Sequence, residues 1–576
     1  MATETHHDRR RWYALLILSL SLTLVIMDAT IVNVAIPSIT QDFDSTFRDA
    51  EWVNTIYSLV YAATLILWGK IGDQYGRRLL FMIGVVLFGL GSALVGASSS
   101  IEMLITMRAV QGIGAAILSP STLSIVTTTF RGKERGIAFG IWGATAGVAA
   151  ALGPLLGGWM VDNASWRWAF YINIPIVIAA FVGSLWAIRE SRDHTTRRYF
   201  DVVGTILGGL GLAGVVFGII EGQAYGWWKP DDQFTVLGWD WPSDSISIVP
   251  VAIGVGAVLL ALFTWYELFL QRRGKEPLFE FPLLKYRSFR YGMITGLIVN
   301  LGEIGILFAM SLFLQGTKGL SAFETGVALL PLAIMAFIGA PVAGSFSARI
   351  GPKWIVTTGM VIEVIALLFI SQIIDIGTSV TTIALLLGLY GLGLGLAIAQ
   401  LTSLVLYDIP AAKAGIASGG NSTIRQVGAA LGIAIIGTVV TTTTEHVLTD
   451  EFTTTTVLAP PVLMMENMYI EMAKQPVDFD FEAMLTAVPP PGMADHPGAG
   501  GDSGGPPMDA SGIDMAAQGR ELGRVVEIAR TDAVTAAALA AAIFIALGAL
   551  SSLMLPNPRQ VAAEDETAGE VVAAAQ

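Results

Sequence analysis

Asp28 stands in "VIMDATIVNVAIPSI" (25–39), inside an apolar run from Trp12 to Ile39. On insertion scales an aspartate deep in a bilayer costs roughly 2.5–3.5 kcal/mol, so one kept there is expected to carry a proton, pair with a cation or bind a ligand. Four more charges share that setting: Arg108, Glu303 in "IVNLGEIGILFAM", Glu363 in "GMVIEVIALL" and Arg425 in "NSTIRQVGAALG". An aspartate beside a guanidinium in low dielectric has a proton affinity that depends on their separation, which is the coupling a proton-driven machine needs. A permanent structural ion pair is the plainer alternative. Other chemistry is excluded. The chain has no cysteine and five histidines without ligand spacing, so no metal site is expected. Neither a nucleophile–base pair nor a phosphate-binding loop occurs, so enzyme activity, ATP drive and a resident cofactor are not expected.

The elements holding these charges are read from hydropathy. The 576 residues are 53% hydrophobic and 14% charged, with mean hydropathy +0.65. Stretches of about 20 apolar residues recur along the whole chain. They predict an all-α integral membrane protein with about fourteen spans, at 12–34, 52–69, 79–97, 101–125, 136–160, 168–188, 202–221, 247–270, 290–314, 324–346, 353–373, 379–406, 412–440 and 532–555. With both termini on one side, that side collects 23 of the 33 Lys and Arg, which places it in the cytoplasm and the protein in the cell membrane. Two outer loops stand out. Residues 222–246 are aromatic and acidic. Residues 441–531 form a long insertion with "TTTT" runs, a Met-rich stretch read as a short amphipathic cap, and a Pro/Gly-rich part expected to be disordered. On these limits Asp28 lies roughly 9 Å and Arg108 roughly 10 Å from the outer ends of their spans, hence at similar depth.

An internal repeat organises the spans. "GKIGDQYGRRLLFMIG" (69–84) is echoed by "GSFSARIGPKWIVTTG" (344–359) at an offset of 275. "ERGIAFG" (134–140) and "AALG" (150–153) recur at 413–419 and 429–432 at an offset of 279, as do Gly112 and Gly114 at Gly391 and Gly393. The offsets leave six spans per half and two between: a first bundle at 1–190, a linker with two inserted helices at 191–288, and a second bundle at 289–576. Parallel halves of this kind describe a secondary transporter with its site at their interface. Offsetting Asp28 by 275 gives Glu303, which places an acid on the first span of each half.

At these residues the chain resembles the major facilitator superfamily, and within it the fourteen-helix drug/proton antiporters. "GKIGDQYGRR" is similar to the loop motif between the second and third helices, "RAVQGIGAA" (108–116) to the helix 4 motif, "AALGPLLGG" (150–158) to the antiporter motif, and "MDATIVNVAIP" (27–37) and "NSTIRQVGAALG" (421–432) to segments of that branch. The resemblance implies proton-coupled export of small amphipathic drugs or antibiotics. Proton coupling would involve Asp28, Arg108 and Glu303. A conformational latch would comprise Gly69, Asp73, Gly76, Arg77 and Arg78, with Asp73 taking hydrogen bonds from a neighbouring helix N-terminus or pairing with an arginine. Gly153, Pro154, Gly157 and Gly158 would form a hinge in which Pro154 removes a backbone donor and the glycines admit close packing. Glu303, Arg425, Asn421, Gln426, Asn33 and Trp142 are candidates for the substrate cavity. Glu363, on a helix peripheral in relatives, is a weaker candidate, and Glu221 and Glu267 read as interfacial. The expected partners are substrate, protons and membrane lipids, without nucleic acid, and the expected state is a monomer. An exporter dedicated to one endogenous lipid, siderophore or antibiotic shares every motif. A receptor or scaffold that has lost transport has no use for the intramembrane carboxylates.

Overall fold

In lipid a backbone must satisfy its own polar groups, and the apolar runs answer by forming helices. The computed structural model describes residues 2–45, 47–192, 200–236, 239–454, 458, 468–470 and 514–557. Its helices are α1 (Ala2–Phe43), α2 (Phe47–Tyr75), α3 (Arg77–Gly96), α4 (Ile101–Thr129), α5 (Gly132–Asn163), α6 (Trp168–Tyr171), α7 (Asn173–Ala187), α8 (Val202–Ile220), α9 (Ile248–Arg272), α10 (Arg287–Gly316), α11 (Ala322–Ile350), α12 (Pro352–Ile373), α13 (Val380–Val405), α14 (Ala414–Thr454) and α15 (Met515–Ser552). With α6 and α7 taken as one span, fourteen segments among the described residues are long and apolar enough to cross a membrane. Side-chain caps mark several starts: Ser100 accepts from the Met103 amide, Ser379 from Thr382, and Ser321 with Glu324 forms a capping box. In the 222–246 loop two short strands, β1 (Thr235–Val236) and β2 (Trp239–Asp240), pair antiparallel.

The insertion at 441–531 is shorter than its sequence limits. Helix α14 continues to Thr454 and α15 starts at Met515, so both ends of that segment are helical. Thr and Ala runs keep the helical hydrogen bonding going once a span has nucleated it, although their hydropathy no longer signals a membrane. The Pro/Gly-rich part lies outside the described residues, and of the Met-rich stretch only 468–470 is described.

Helices α1–α7 pack mainly on one another, as α1 on α5 and α7, and α4 on α2 and α3. Helices α10–α15 repeat the arrangement, as α10 on α14 and α13 on α11 and α12. The α8–α9 hairpin leans on α2 and α14 through α8, and its outer face keeps Leu210, Val258 and Trp265 exposed, as suits lipid contact. The repeat is also visible in backbone geometry. A Cβ on Gly153 of α5 would strike Thr30 of α1, and one on Gly432 of α14 would lie 2.3 Å from the Leu301 carbonyl of α10. Gly76 and Gly351, related by the 275 offset, both take positive φ, at 131° and 96°. The two halves meet along α5–α11 and α2–α14.

Candidate functional site

Asp28 and Arg108 meet, both fully buried, with Oδ2 accepting from Arg108 Nη1 at 2.5 Å. Asp28 Oδ1 accepts from Gln111 Nε2 at 2.7 Å and Asn173 Nδ2 at 3.0 Å. Arg108 Nη1 also donates to Gln111 Oε1 at 2.8 Å, and Arg108 Nε donates to the Val53 carbonyl at 3.1 Å. The guanidinium lies 4.2 Å from the centre of the Tyr57 ring, within cation–π range. Ser92 Oγ accepts from both amides and donates to the Phe170 carbonyl. Side chains or carbonyls of α1, α2, α3, α4, α6 and α7 are thus tied by one polar network with no exposed member among its charged groups. Gln111, Asn173 and Ser92 are not among the sequence candidates. Gln111 carried a usable signal, one helical turn after Arg108 within "RAVQGIGAA".

The second half is wired differently. Glu303 is buried, and its Oε1 has no hydrogen-bond partner. It interacts electrostatically with Arg425 but forms no ion pair with it among the described residues. Arg425 is partly accessible, on a helix, α14, that contacts α2, α4, α8, α10 and α15. Tyr61 of α2 interacts electrostatically with Arg425, and Ser119 Oγ lies 3.3 Å from Ser422 Oγ of the other half. Asn421 Nδ2 and Trp142 Nε1 are buried donors without partners, and Gln426 is partly accessible. The side chain of Asn33 lies outside the described residues. Glu363 is fully buried on α12, whose other face keeps Val361, Ile365 and Leu368 exposed, and neither of its oxygens has a hydrogen-bond partner. Glu267, read from sequence as interfacial, is also fully buried, and its Oε2 accepts from the Phe279 amide. Glu221 caps the end of α8, the span end where the sequence places it; there it is buried and accepts from Thr55 Oγ1 at 2.8 Å. The sequence window saw only the ends of α8 and α9; tertiary packing covers them.

The loop motif joins the two halves on the basic face. Gly69 and Gly415 pack backbone to backbone, so that a Cβ on either would lie 2.4 Å from the other's carbonyl oxygen. Asp73 receives the amides of Gly415 and Ile416, each at 2.9 Å, and thereby caps the N-terminus of α14. Its Oδ1 also accepts from Arg77 at 2.5 and 3.0 Å, and Arg77 donates onward to the Ala411 carbonyl at 2.6 Å. Lys70 pairs with Glu276 at 3.4 Å, and Lys413 pairs with Glu280. Arg78 reaches the Leu185 carbonyl, while Glu190 takes the Arg78 and Leu79 amides at the start of α3. A side chain on Gly76 would collide with that Glu190 carboxylate at 2.7–2.8 Å. Pro154 lies within a continuous α5. Gly153 and Gly157 seat α5 on α1 at Thr30 and Ile31, and Gly158 seats it on Phe323 of α11.

Comparison with known proteins agrees with this architecture. The family model described as Major Facilitator Superfamily matches residues 18–433. The chain is 32% identical to the tetracenomycin C resistance and export protein of Streptomyces glaucescens, covering 76% of this chain and 80% of that protein. It is 33% identical to the multidrug resistance protein Stp of Mycobacterium tuberculosis, covering 75% and 76%. It is 31% identical to the puromycin resistance protein pur8 of Streptomyces alboniger, covering 75% and 82%. Among solved structures, the human organic anion transporter MFSD10 (TETRAN) has the same fold, with a TM-score of 0.51 at 16% identity over 74% of this chain and 93% of that one.

Proposed function

Since the chain belongs to the Major Facilitator Superfamily, we propose that it is a proton-coupled antiporter that exports small amphipathic drugs or antibiotics by alternating access. The observation that carries the coupling is Glu303, an intramembrane carboxyl without an ion-pair partner among the described residues, on a helix packed against the one that carries Arg425. In this reading the basic face lies in the cytoplasm, both termini are cytoplasmic, and the seam at Gly69, Asp73 and Gly415 is the closed inner gate. Substrate meets a wall with unused N–H donors at Trp142 and Asn421. A proton arriving from outside neutralises Glu303 and competes with any positive charge on the substrate. The Asp28–Arg108 network acts as a lock in the first half, and a proton on Asp28 would free Arg108 to change partners. No bound cofactor is needed, and the chain works as a monomer.

An exporter dedicated to one endogenous compound is the second reading, favoured by the relative named for tetracenomycin C. The test is dye efflux from everted vesicles under a proton gradient. Glu303→Gln and Asp28→Asn are each expected to lower proton-driven efflux by at least about tenfold while the protein still inserts. Unchanged gradient-driven efflux in both variants would overturn the coupling. Efflux of one compound class and of no dye would select the dedicated exporter.

A further inference from the structure

The repeat relates α5 to α14 and α2 to α11, so the two seams between the halves, α5–α11 and α2–α14, are counterparts. They are not built alike. The α5–α11 seam is direct at both ends. On its basic side a Cβ on Gly344 would lie 3.0 Å from the Gly136 carbonyl oxygen. On its outer side one on Gly326 would lie 2.8 Å from the Leu155 amide nitrogen, and one on Gly158 would lie 2.8 Å from that of Phe323. The α2–α14 seam is direct on its basic side, at Gly69 with Gly415 and at Gly419 with the Leu65 carbonyl.

On its outer side the inserted hairpin takes part instead. Adding the offset of 279 to Leu155 and Gly158 gives Ala434 and Gly437 of α14. Ala434 packs with Ala430 and with Ile219 of α8, and its carbonyl accepts from Gln223 Nε2 at 3.3 Å. A Cβ on Gly437 would lie 2.8 Å from that same nitrogen, which also donates to Thr438 Oγ1 at 3.2 Å. The end of α8 and the turn after it thus meet the α14 positions whose repeat mates meet α11 in the other seam. The same piece of chain also holds α2. Trp52 stacks on Phe217 with ring centres 6.0 Å apart and donates to the Tyr225 hydroxyl at 3.4 Å, and Thr55 donates to Glu221.

The two attachments are unequal. Towards α2 they comprise a buried carboxyl hydrogen bond and a cluster of Trp52, Phe217, Tyr225 and Phe234, whose rings bury large areas. Towards α14 they comprise one exposed amide side chain and two alanines, which bury little area. The hairpin therefore parts from α14 before it parts from α2. Its far face keeps Leu210, Val258 and Trp265 exposed to lipid, so a gap opened along α14 leads into the membrane and not into water.

We propose that the α8–α9 hairpin is a side door in the outer part of the α2–α14 seam, hinged on α2 and latched to α14 by Gln223, through which an amphipathic compound leaves for the outer leaflet. The proposal rests on the export reading above and adds the route. Release of the Gln223 amide from the Ala434 carbonyl and the Thr438 hydroxyl opens a passage walled by Ile219 on one side and Ala430 and Ala434 on the other. Such walls suit an apolar body, while its polar end can reach the wet loop at 222–246.

The test uses the purified full-length protein in lipid bilayers, where the absence of cysteine makes single reporters clean. Ala434→Cys, behind the door, is labelled with a membrane-soluble maleimide. Labelling is expected to be at least about tenfold faster when Gln223→Ala is added, because two latch hydrogen bonds are lost. An unchanged rate overturns the door. For the exit, Gln223→Cys and Thr438→Cys are joined by a short bifunctional thiol reagent. Joining is expected to lower dye efflux at least about tenfold relative to the same protein before joining. Efflux that joining leaves unchanged overturns the exit. Absence of efflux before joining counts against the export reading and removes the exit with it, while the labelling, read without dye, still decides the door.

Discussion

Asp28 takes three hydrogen bonds, from Arg108, Gln111 and Asn173, and this is what makes a negative charge tolerable at that depth. Truncating the cation leaves the carboxylate buried and uncompensated. Arg108→Ala is therefore expected to destabilise the protein by about 3–5 kcal/mol, read as thermal unfolding in detergent, whereas Asp28→Asn combined with Arg108→Gln should recover much of the loss. An Arg108→Ala protein that melts with the parent would rule out the lock. Asp28 and Arg108 were legible in the sequence because a charge in an apolar run is expensive and therefore conspicuous. Asn173 was not, since a single Asn in such a run is mild and its partner is far along the chain: it lies 145 residues from Asp28. Glu363 was visible for the same reason as Asp28, yet its burial depended on α13 and α15 closing over α12.

At the scale of elements, the seam between α2 and α14 is held by backbone contact at Gly69 and Gly415 and by the Asp73 cap on α14. A β-branched side chain there cannot be accommodated by a rotamer change, because the obstacle is a carbonyl oxygen. Gly415→Val is expected to hold the two helices apart, and Asp73→Asn to weaken the same contact by removing the charge that faces the helix N-terminus. The chain lacks cysteine, so a reporter at Ser418→Cys, buried in the seam-bearing helix, can be labelled without background. Both seam variants should raise its labelling rate by about tenfold or more; a rate equal to that of the reporter alone would show that the seam is not a gate. The sequence offered Asp73 a neighbouring helix N-terminus or an arginine, without saying which helix. The helix it meets is α14, whose Gly415 lies 346 positions beyond Gly69 in the sequence numbering.

At the scale of the whole molecule, the distribution of Lys and Arg and the two parallel halves set an orientation. If the basic face is cytoplasmic, a cysteine at Asp232, in the loop after α8, is expected to react with an impermeant maleimide in intact cells, and one at Lys275, after α9, only in permeabilised cells. The reverse pattern would invert the gate assignment made above.

Span number, the repeat and the family motifs followed from the sequence by itself, because hydropathy, charge bias and glycine spacing are local properties that survive without coordinates. The apparent length of the 441–531 insertion did not: α14 and α15 run past their apolar stretches, where hydropathy is silent and helical hydrogen bonding persists. Only the tertiary structure decided which charges are paired. Asp28 and Glu303 are equivalent by the repeat, yet one is locked among three donors while the other keeps a free carboxyl oxygen. That difference comes from side chains on neighbouring helices, Arg108, Gln111 and Asn173 in one half and a more distant Arg425 in the other, and pairing between helices is a property of packing that no single span encodes.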